Sequence, residues 1–192
     1  MTILHGDARF YNNIFVQQEI RQDLEDFVGR EKADGVTKYQ FVCGMVPYDD
    51  YPTWAEYIEK FTPESACDLE KRDIYYEHLP IYTGGNIYFN GAKPCNKEVA
   101  YWRDQEHKIN LELVEEDGAY RLHTNLYEYL PNLETRCINT EILGEAFEPE
   151  QKFENPDGTA ILFNQDYFGA IHEMAPKPGP FAQNYKEQIL WK

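Results

Sequence analysis

The sequence has few basic residues, and this shortage excludes one large class of partners. Its 192 residues include 18 Lys and Arg against 34 Asp and Glu, which gives a net charge of -16 at pH 7. A chain this acidic repels phosphate groups, so we expect neither nucleic acid nor an anionic membrane as a partner. Neutral carbohydrates, metal ions and basic proteins are compatible with this charge.

Several motifs that identify enzyme classes or cellular locations are also missing. The sequence has no Gly-Xaa-Ser-Xaa-Gly elbow, phosphate-binding loop, HExxH pair or EF-hand loop. Its four cysteines have no CxxC spacing and no histidines at zinc spacing, which predicts reduced thiols, no metal site and no cofactor. The first fourteen residues contain no basic region followed by a long apolar run. We therefore predict a cytoplasmic chain without a membrane span.

What the sequence does contain is a series of short β-strand patterns. Aromatic residues reach 15%, with 15 tyrosines, and tyrosine favours strands more often than it lines sugar-binding surfaces. Near the start, Arg9–Tyr11 and Ile14–Val16 flank the pair Asn12-Asn13, a natural corner because asparagine tolerates left-handed backbone. Strand, asparagine corner and strand form the unit of a β-solenoid, although an ordinary hairpin has the same pattern.

Between residues 17 and 83 the pattern becomes mixed. Apolar residues at helical spacing predict one helix within Gln17–Arg30 and another that starts at Pro52-Thr53. The second helix carries Trp54 on its apolar stripe, which predicts that Trp54 lies in the core. Trp102 has charged neighbours and is predicted to be the more exposed tryptophan.

From residue 84 onward β-strands dominate again. The clearest hairpin joins Ile109–Val114 to Tyr120–Thr124 through the turn residues Asp117-Gly118. A last strand is predicted at Gln188–Trp191. These elements predict a mainly β fold whose C-terminal part is built from antiparallel strands.

Individual catalytic residues cannot be assigned from the sequence. Glycoside hydrolysis needs two carboxylates that flank one bond, but among 34 acidic residues a pair has no meaning without the fold. The most informative group is His5, Asp7 and Arg9, which point to one face if the segment is a strand. We take these three as candidate substrate-binding residues that grip sugar hydroxyl groups; a salt-linked surface row is the alternative.

Two groups of segments resemble the end of known carbohydrate-processing enzymes. His5–Val16 resembles late coils of right-handed parallel β-helix glycosidases, and Gly85–Pro94 is similar to a segment that follows those coils. Further similar stretches are Leu143-Gly144, Phe153–Thr159, Asp166–Gly169 and Pro178–Phe181. Together they resemble the C-terminal part of the β-xylosidases of glycoside hydrolase family 120, over residues 1–16 and roughly 84–192.

The resemblance implies three regions. Residues 1–16 would form the last coil of a right-handed parallel β-helix, 17–83 a mixed α/β insertion, and 84–192 a β-rich region packed on the helix end. It also implies hydrolysis of glycosidic bonds with retention of configuration, in a carbohydrate such as a xylo-oligosaccharide. The implied catalytic groups are an Asp nucleophile and a Glu acid/base, and no metal ion takes part. In the family these carboxylates precede the segment that Asp7–Val16 resembles, so we expect the chain alone to be an inactive fragment.

Two alternatives and one consequence accompany this hypothesis. The two alternatives are a non-catalytic carbohydrate-binding module and a structural cap that binds no ligand. A β-helix that is cut at its last coil exposes an unpaired strand edge. We therefore expect either self-association or pairing with an upstream β-helix portion.

Overall fold

The computed structural model describes residues 6–19, 43–68, 77–133, 135–147, 149–172, 175–182 and 187–191. His5 and most of the predicted helix Gln17–Arg30 lie outside these residues. Within them the chain is mainly β with few, short helices, so the predicted class is confirmed at this level. No helix in the described ranges has both the length and the apolar character to cross a membrane.

The elements are numbered in chain order. The strands are β1 Ala8–Tyr11, β2 Ile14–Val16, β3 Ile81–Gly84, β4 Asn86–Phe89, β5 Tyr101–Arg103, β6 Leu111–Glu116, β7 Ala119–Thr124, β8 Ile138–Asn139, β9 Glu145–Ala146, β10 Gln151–Lys152, β11 Leu162–Phe163 and β12 Glu187–Trp191. The α-helices are α1 Trp54–Glu59, α2 Pro63–Cys67 and α3 Thr140–Leu143, and short 3-10 helices lie at Val46–Tyr48 and Leu126–Glu128.

Two three-sided units stack on each other near the start of the chain. Strand β1 pairs in parallel with β3, and β2 pairs in parallel with β4, both without a break in register. A third parallel contact joins Gly44 to Lys93. The first unit therefore consists of β1, β2 and the Gly44 segment, and the second of β3, β4 and the Lys93 segment. Strand β5 continues the stack beyond β4.

The predicted asparagine corner is confirmed, and it is matched in the second unit. Asn12 has a left-handed backbone, with φ 57°, and Gly85 takes the same region at φ 69°. A Cβ atom on Gly85 would lie 2.3 Å from the Asn12 side-chain oxygen, so the close approach of the two corners requires glycine there. The Asn13 backbone N–H and Nδ2 both donate to Asn86 Oδ1, at 2.9 and 3.0 Å. The corner amides thus join the two units.

A buried polar network lies behind this corner. Asn86 Nδ2 donates to Phe10 O, Thr83 Oγ1 and Glu98 Oε1 at 2.9, 2.8 and 2.7 Å. The Tyr88 hydroxyl donates to Glu98 Oε2 at 2.5 Å. Burial raises the pKa of Tyr88, and the hydrogen bond to Glu98 raises it further, so this hydroxyl remains a donor. Each buried group in the network therefore has a hydrogen-bonding partner.

Alternate residues of β4 face two separate apolar clusters, as a strand requires. Tyr88 faces the interior of the stack, where it lies parallel to Phe15 with ring centroids 5.1 Å apart. Ile87 and Phe89 face outward, onto a cluster supplied by residues of the C-terminal region. Trp102 packs on this outer cluster, edge-on to Phe89 at 5.7 Å. The prediction that Trp102 is the more exposed tryptophan is therefore wrong.

The C-terminal region contains the predicted hairpin. Strands β6 and β7 pair around Asp117 and Gly118, whose φ angles of 52° and 72° suit a tight two-residue turn. Strand β12 pairs antiparallel with β7, which confirms the last predicted strand. Together these three strands supply Leu111, Leu122 and Leu190 to the outer cluster. The hairpin therefore covers the outer side of the β2–β4–β5 sheet.

Substitution of Gly44 by alanine is expected to break the third side of the stack. Gly44 has φ +117°, and a Cβ atom would lie 2.3 Å from the Lys93 carbonyl oxygen, which is backbone and cannot rotate away. We expect a loss of about 3 kcal/mol in the free energy of unfolding, measured by urea denaturation. Gly91→Ala is the control, because Gly91 has φ +96° but no atom within 4 Å of the added Cβ. Equal losses in both variants would contradict a close contact at Gly44.

Candidate functional site

A cleft of about 480 Å³ opens where β1 begins. Four parts of the chain that are distant in sequence form its walls: the start of β1, the first turn of α1, the start of β3, and the segment around β9. Its principal lining residues are Asp7, Trp54, Tyr82, Glu145, Phe147 and Glu150. We call it the Asp7 cleft.

The Asp7 carboxylate is fixed from two sides. Its Oδ1 accepts a hydrogen bond from Arg9 Nη1 at 2.6 Å, and its Oδ2 accepts from the Phe147 backbone N–H at 2.9 Å. The Asp7 N–H donates to Pro80 O at 2.7 Å, which anchors the backbone beside β3. The side chain retains 19% of its exposure and borders the cleft. A carboxylate held in this way is a preorganised acceptor for hydroxyl groups.

Arg9 lies behind this carboxylate and is almost fully buried. Its guanidinium carbon is 4.6 Å from the Tyr82 ring centroid and 4.5 Å from that of Phe153. Nε donates to Leu143 O and Nη2 donates to Glu145 O, both at 2.8 Å. Its side chain is 7% exposed, so Arg9 uses its donors on protein atoms and fastens the β9 segment to β1.

Trp54 and Phe147 supply aromatic rings to the lining of the Asp7 cleft. Trp54 is 48% exposed, whereas Tyr57, one helical turn further on, is 3% exposed. The Trp54 ring lies edge-on to Phe147, with centroids 5.9 Å apart. Thr53 caps the helix together with Glu56, which puts Trp54 at the first helical position, with Tyr57 buried beneath it. The prediction that Trp54 lies in the core is therefore wrong.

The structure brings two of the three predicted site residues together. Asp7 borders the cleft, Arg9 contacts Asp7 from below, and His5 lies outside the described residues. No sequence pattern predicts Phe147 or Glu145 as site residues, because they enter the site from a segment about 140 residues away. Among the residues that line the cleft, Trp54 has the strongest sequence signal for a site residue, because it is a tryptophan directly after the helix cap Thr53.

The chemistry of the Asp7 cleft suits a neutral, hydroxyl-rich ligand. Carboxylates of Asp7, Glu145 and Glu150 accept hydrogen bonds from hydroxyl groups, and the Trp54 ring offers a flat apolar surface. Among the described residues, no group of three or more His, Cys, Asp or Glu side chains is arranged to hold a metal ion. The four cysteines form no disulfide; Cys95 is buried and Cys67 exposed.

A larger groove of about 850 Å³ lies on the other side of the asparagine corner. It is lined by Tyr11, Thr83, Arg136 and Glu141, with Val99 at its rim. The described part of this groove contains one carboxylate and no indole. The Asp7 cleft therefore has the stronger combination of aromatic and acidic groups.

Comparison with known proteins gives one structural relationship. No protein-family model and no curated protein matches the chain. The chain is similar in structure to XylC, solved in complex with xylose, with a TM-score of 0.73 and 26% sequence identity. The match covers 97% of this chain and 26% of the XylC chain, so this chain spans about a quarter of that protein's length. The similarity supports a fold related to that of XylC.

Proposed function

We propose that the chain is the C-terminal segment of a β-helix glycoside hydrolase of the β-xylosidase type. In this proposal the complete protein hydrolyses glycosidic bonds with retention, in xylo-oligosaccharides or a related carbohydrate. The observation that carries the proposal is the three-sided parallel stack, in a chain whose fold is similar to that of a protein solved with xylose.

The stack supports a specific division of the chain. Residues 1–16 begin one coil of a right-handed parallel β-helix, and β3 begins the next coil at Ile81. Because the Gly44 segment belongs to the first coil, the proposed insertion 17–83 falls into two parts, 18–42 and 46–80. Residues 84–192 then complete the second coil and supply the β-rich C-terminal region.

The Asp7 cleft is the proposed edge of the sugar site. Asp7 accepts hydrogen bonds from sugar hydroxyl groups, Trp54 stacks on the sugar ring, and Arg9 positions Asp7 without contacting the sugar. His5 remains a proposed contact because it stands two residues before Asp7 in the sequence. Both Asp7 oxygens already accept N–H donors, which suits binding better than nucleophilic attack. We propose, on the resemblance to family 120, that the catalytic carboxylates lie outside this chain.

A non-catalytic carbohydrate-binding module is the second candidate. The half-exposed Trp54 beside the acidic cleft favours it, because exposed aromatic rings bind sugars without any chemistry. A purely structural cap needs no such cleft and predicts no sugar binding. Sugar binding would distinguish the hydrolase segment and the binding module from the structural cap. Turnover by a longer protein that contains this chain would distinguish the hydrolase segment from the binding module.

Xylose is expected to bind the 192-residue chain weakly and at the Asp7 cleft. A ligand of this size supports a Kd on the order of 1 mM, measured by NMR titration. Trp54→Ala is expected to weaken binding about tenfold, since a stacked ring contributes about 1.4 kcal/mol. Trp191→Ala is the control, because Trp191 is 47% exposed but stacks on Tyr120 away from the cleft.

Two outcomes would contradict parts of this proposal. Absence of saturable binding, or equal weakening by Trp54→Ala and Trp191→Ala, would remove the sugar site from the Asp7 cleft. In a parallel assay with an aryl β-xyloside, the chain alone is expected to show no turnover. Hydrolysis by the chain would overturn the placement of the catalytic carboxylates and direct attention to Asp7, Glu145 and Glu150.

A further inference from the structure

The carboxylates that line the Asp7 cleft differ in how their charges are compensated. Asp7 forms an ion pair with Arg9, in which Oδ1 and Nη1 are 2.6 Å apart. Glu145, in β9, lies directly opposite Lys152 of β10 in the antiparallel register, and such cross-strand neighbours share one face of the sheet. Both of these carboxylates therefore have a basic residue as a neighbour.

Glu150 is the third lining carboxylate, and its charge is not compensated in this way. It lies in the turn 147–150 that joins β9 to β10, is exposed and borders the cleft. It forms no ion pair with any residue that the structure describes. The described lining of the cleft also contains no Lys, Arg or His. The Glu150 side of the cleft therefore has an excess of negative charge.

The backbone of Glu150 has a conformation that does not favour glutamate. Its φ angle is 51°, in the left-handed region, where a residue with a Cβ atom is strained and glycine or asparagine is preferred. Strained residues of this kind concentrate at ligand-binding sites. The strain and the position of Glu150 beside the cleft together point to a role of its side chain in the choice of ligand.

We propose that Glu150 makes the Asp7 cleft selective for neutral sugars and excludes sugars that carry a carboxylate. The accepted class is a neutral pentose or hexose unit, and the excluded class is the uronic acids. The inference rests on the proposed sugar site, but it concerns which sugars that site accepts. Because the repulsion acts between charges that are open to water, it weakens as salt is added, whereas exclusion by size does not.

Glucose and glucuronate are the matched probes for this selectivity. Both have the ring hydroxyl groups of xylose, and at C5 glucose carries a neutral CH2OH group where glucuronate carries a carboxylate. By NMR titration at low ionic strength, we expect the full chain to bind glucuronate about fivefold more weakly than glucose, the factor for two like charges at contact distance in water. At about 1 M salt, where the Debye length is about 3 Å, we expect the two Kd values to agree within about twofold.

Variants of single carboxylates identify the residue responsible. Glu150→Gln removes the charge and keeps the size, so we expect equal Kd values for glucose and glucuronate at low ionic strength. Glu150→Gly is the second variant, because glycine adopts a φ angle of 51° without strain and preserves the turn. Glu145→Gln is expected to reduce the difference less, because Lys152 lies opposite Glu145. Glu141→Gln is the control for net charge and is expected to keep the difference, because Glu141 lines the larger groove instead.

The outcomes distinguish this inference from the proposed function. Absence of saturable xylose binding would remove the sugar site itself, and the selectivity with it. Saturable xylose binding with equal Kd values for glucose and glucuronate would overturn only the role of Glu150. A difference that Glu150→Gln leaves unchanged, or that Glu141→Gln reduces equally, would overturn that role too. Binding of xylose without binding of glucose would also overturn it, because size alone would then exclude the carboxylate.

Discussion

Substitution of Asn86 by alanine is expected to lower the free energy of unfolding by about 4 kcal/mol. The Asn86 side chain is fully buried and bonds five groups, including the Glu98 carboxylate and the Phe10 carbonyl. Its removal takes one hydrogen-bonding partner from each of these groups, although Glu98 keeps its bond from Tyr88. Each buried group that stays unsatisfied costs about 1–3 kcal/mol before any rearrangement. The measurement is urea denaturation followed by far-UV circular dichroism.

Asn155→Ala provides the comparison for Asn86. Asn155 also donates two side-chain hydrogen bonds, to Thr159 and Ala160, but it lies at the exposed turn after β10. Water replaces those bonds after substitution, so we expect a loss below about 1 kcal/mol. Similar losses in the two variants would mean that the corner amides do not hold the parallel units together.

Substitution of Arg9 by alanine is expected to cost about 3–5 kcal/mol and to abolish xylose binding. The change leaves the Asp7 carboxylate without its cationic partner. Breaking a buried ion pair in this way costs about 3–5 kcal/mol. It also removes the bonds to Leu143 and Glu145, which hold the β9 segment against β1. Thermal denaturation gives the stability, and the xylose titration is performed at a temperature where the variant remains folded.

Two further variants identify the cause of the Arg9 effect. Arg121→Ala removes a partly exposed arginine that pairs with the exposed carboxylates of Glu187 and Glu116, so we expect a loss of about 1 kcal/mol. Arg9→Lys keeps the charge but lacks the planar fork, and it is expected to lose xylose affinity while recovering part of the stability. Full affinity in Arg9→Lys would show that positive charge alone, rather than the bonds to β9, organises the cleft.

Local backbone chemistry explains what the sequence predicted correctly. Asn12 and the Asp117-Gly118 pair adopt left-handed backbone angles for reasons that are contained in the residues themselves. The mainly β class follows because turn residues of this kind recur along the chain between short strand-forming segments. These features need no knowledge of which distant segments meet.

The incorrect predictions all depended on the direction of side chains. Trp102 has polar neighbours in the sequence, but in strand β5 those neighbours point away from the face that carries its ring. The six-residue helix α1 is too short for its apolar stripe to define one inward residue, and Tyr57 takes the core position instead of Trp54. Glu98 would be predicted at the surface, because its partners Asn86 and Tyr88 are recognisable only once the units are stacked.

The Arg9 bonds also impose an order on synthesis. Leu143 and Glu145 lie 134 and 136 residues downstream of Arg9, so the arginine reaches its final partners only after most of the chain has left the ribosome. At typical elongation rates this interval is on the order of ten seconds. Vectorial synthesis therefore makes β1 to β4 available for pairing first, and the β9 segment closes over Arg9 last.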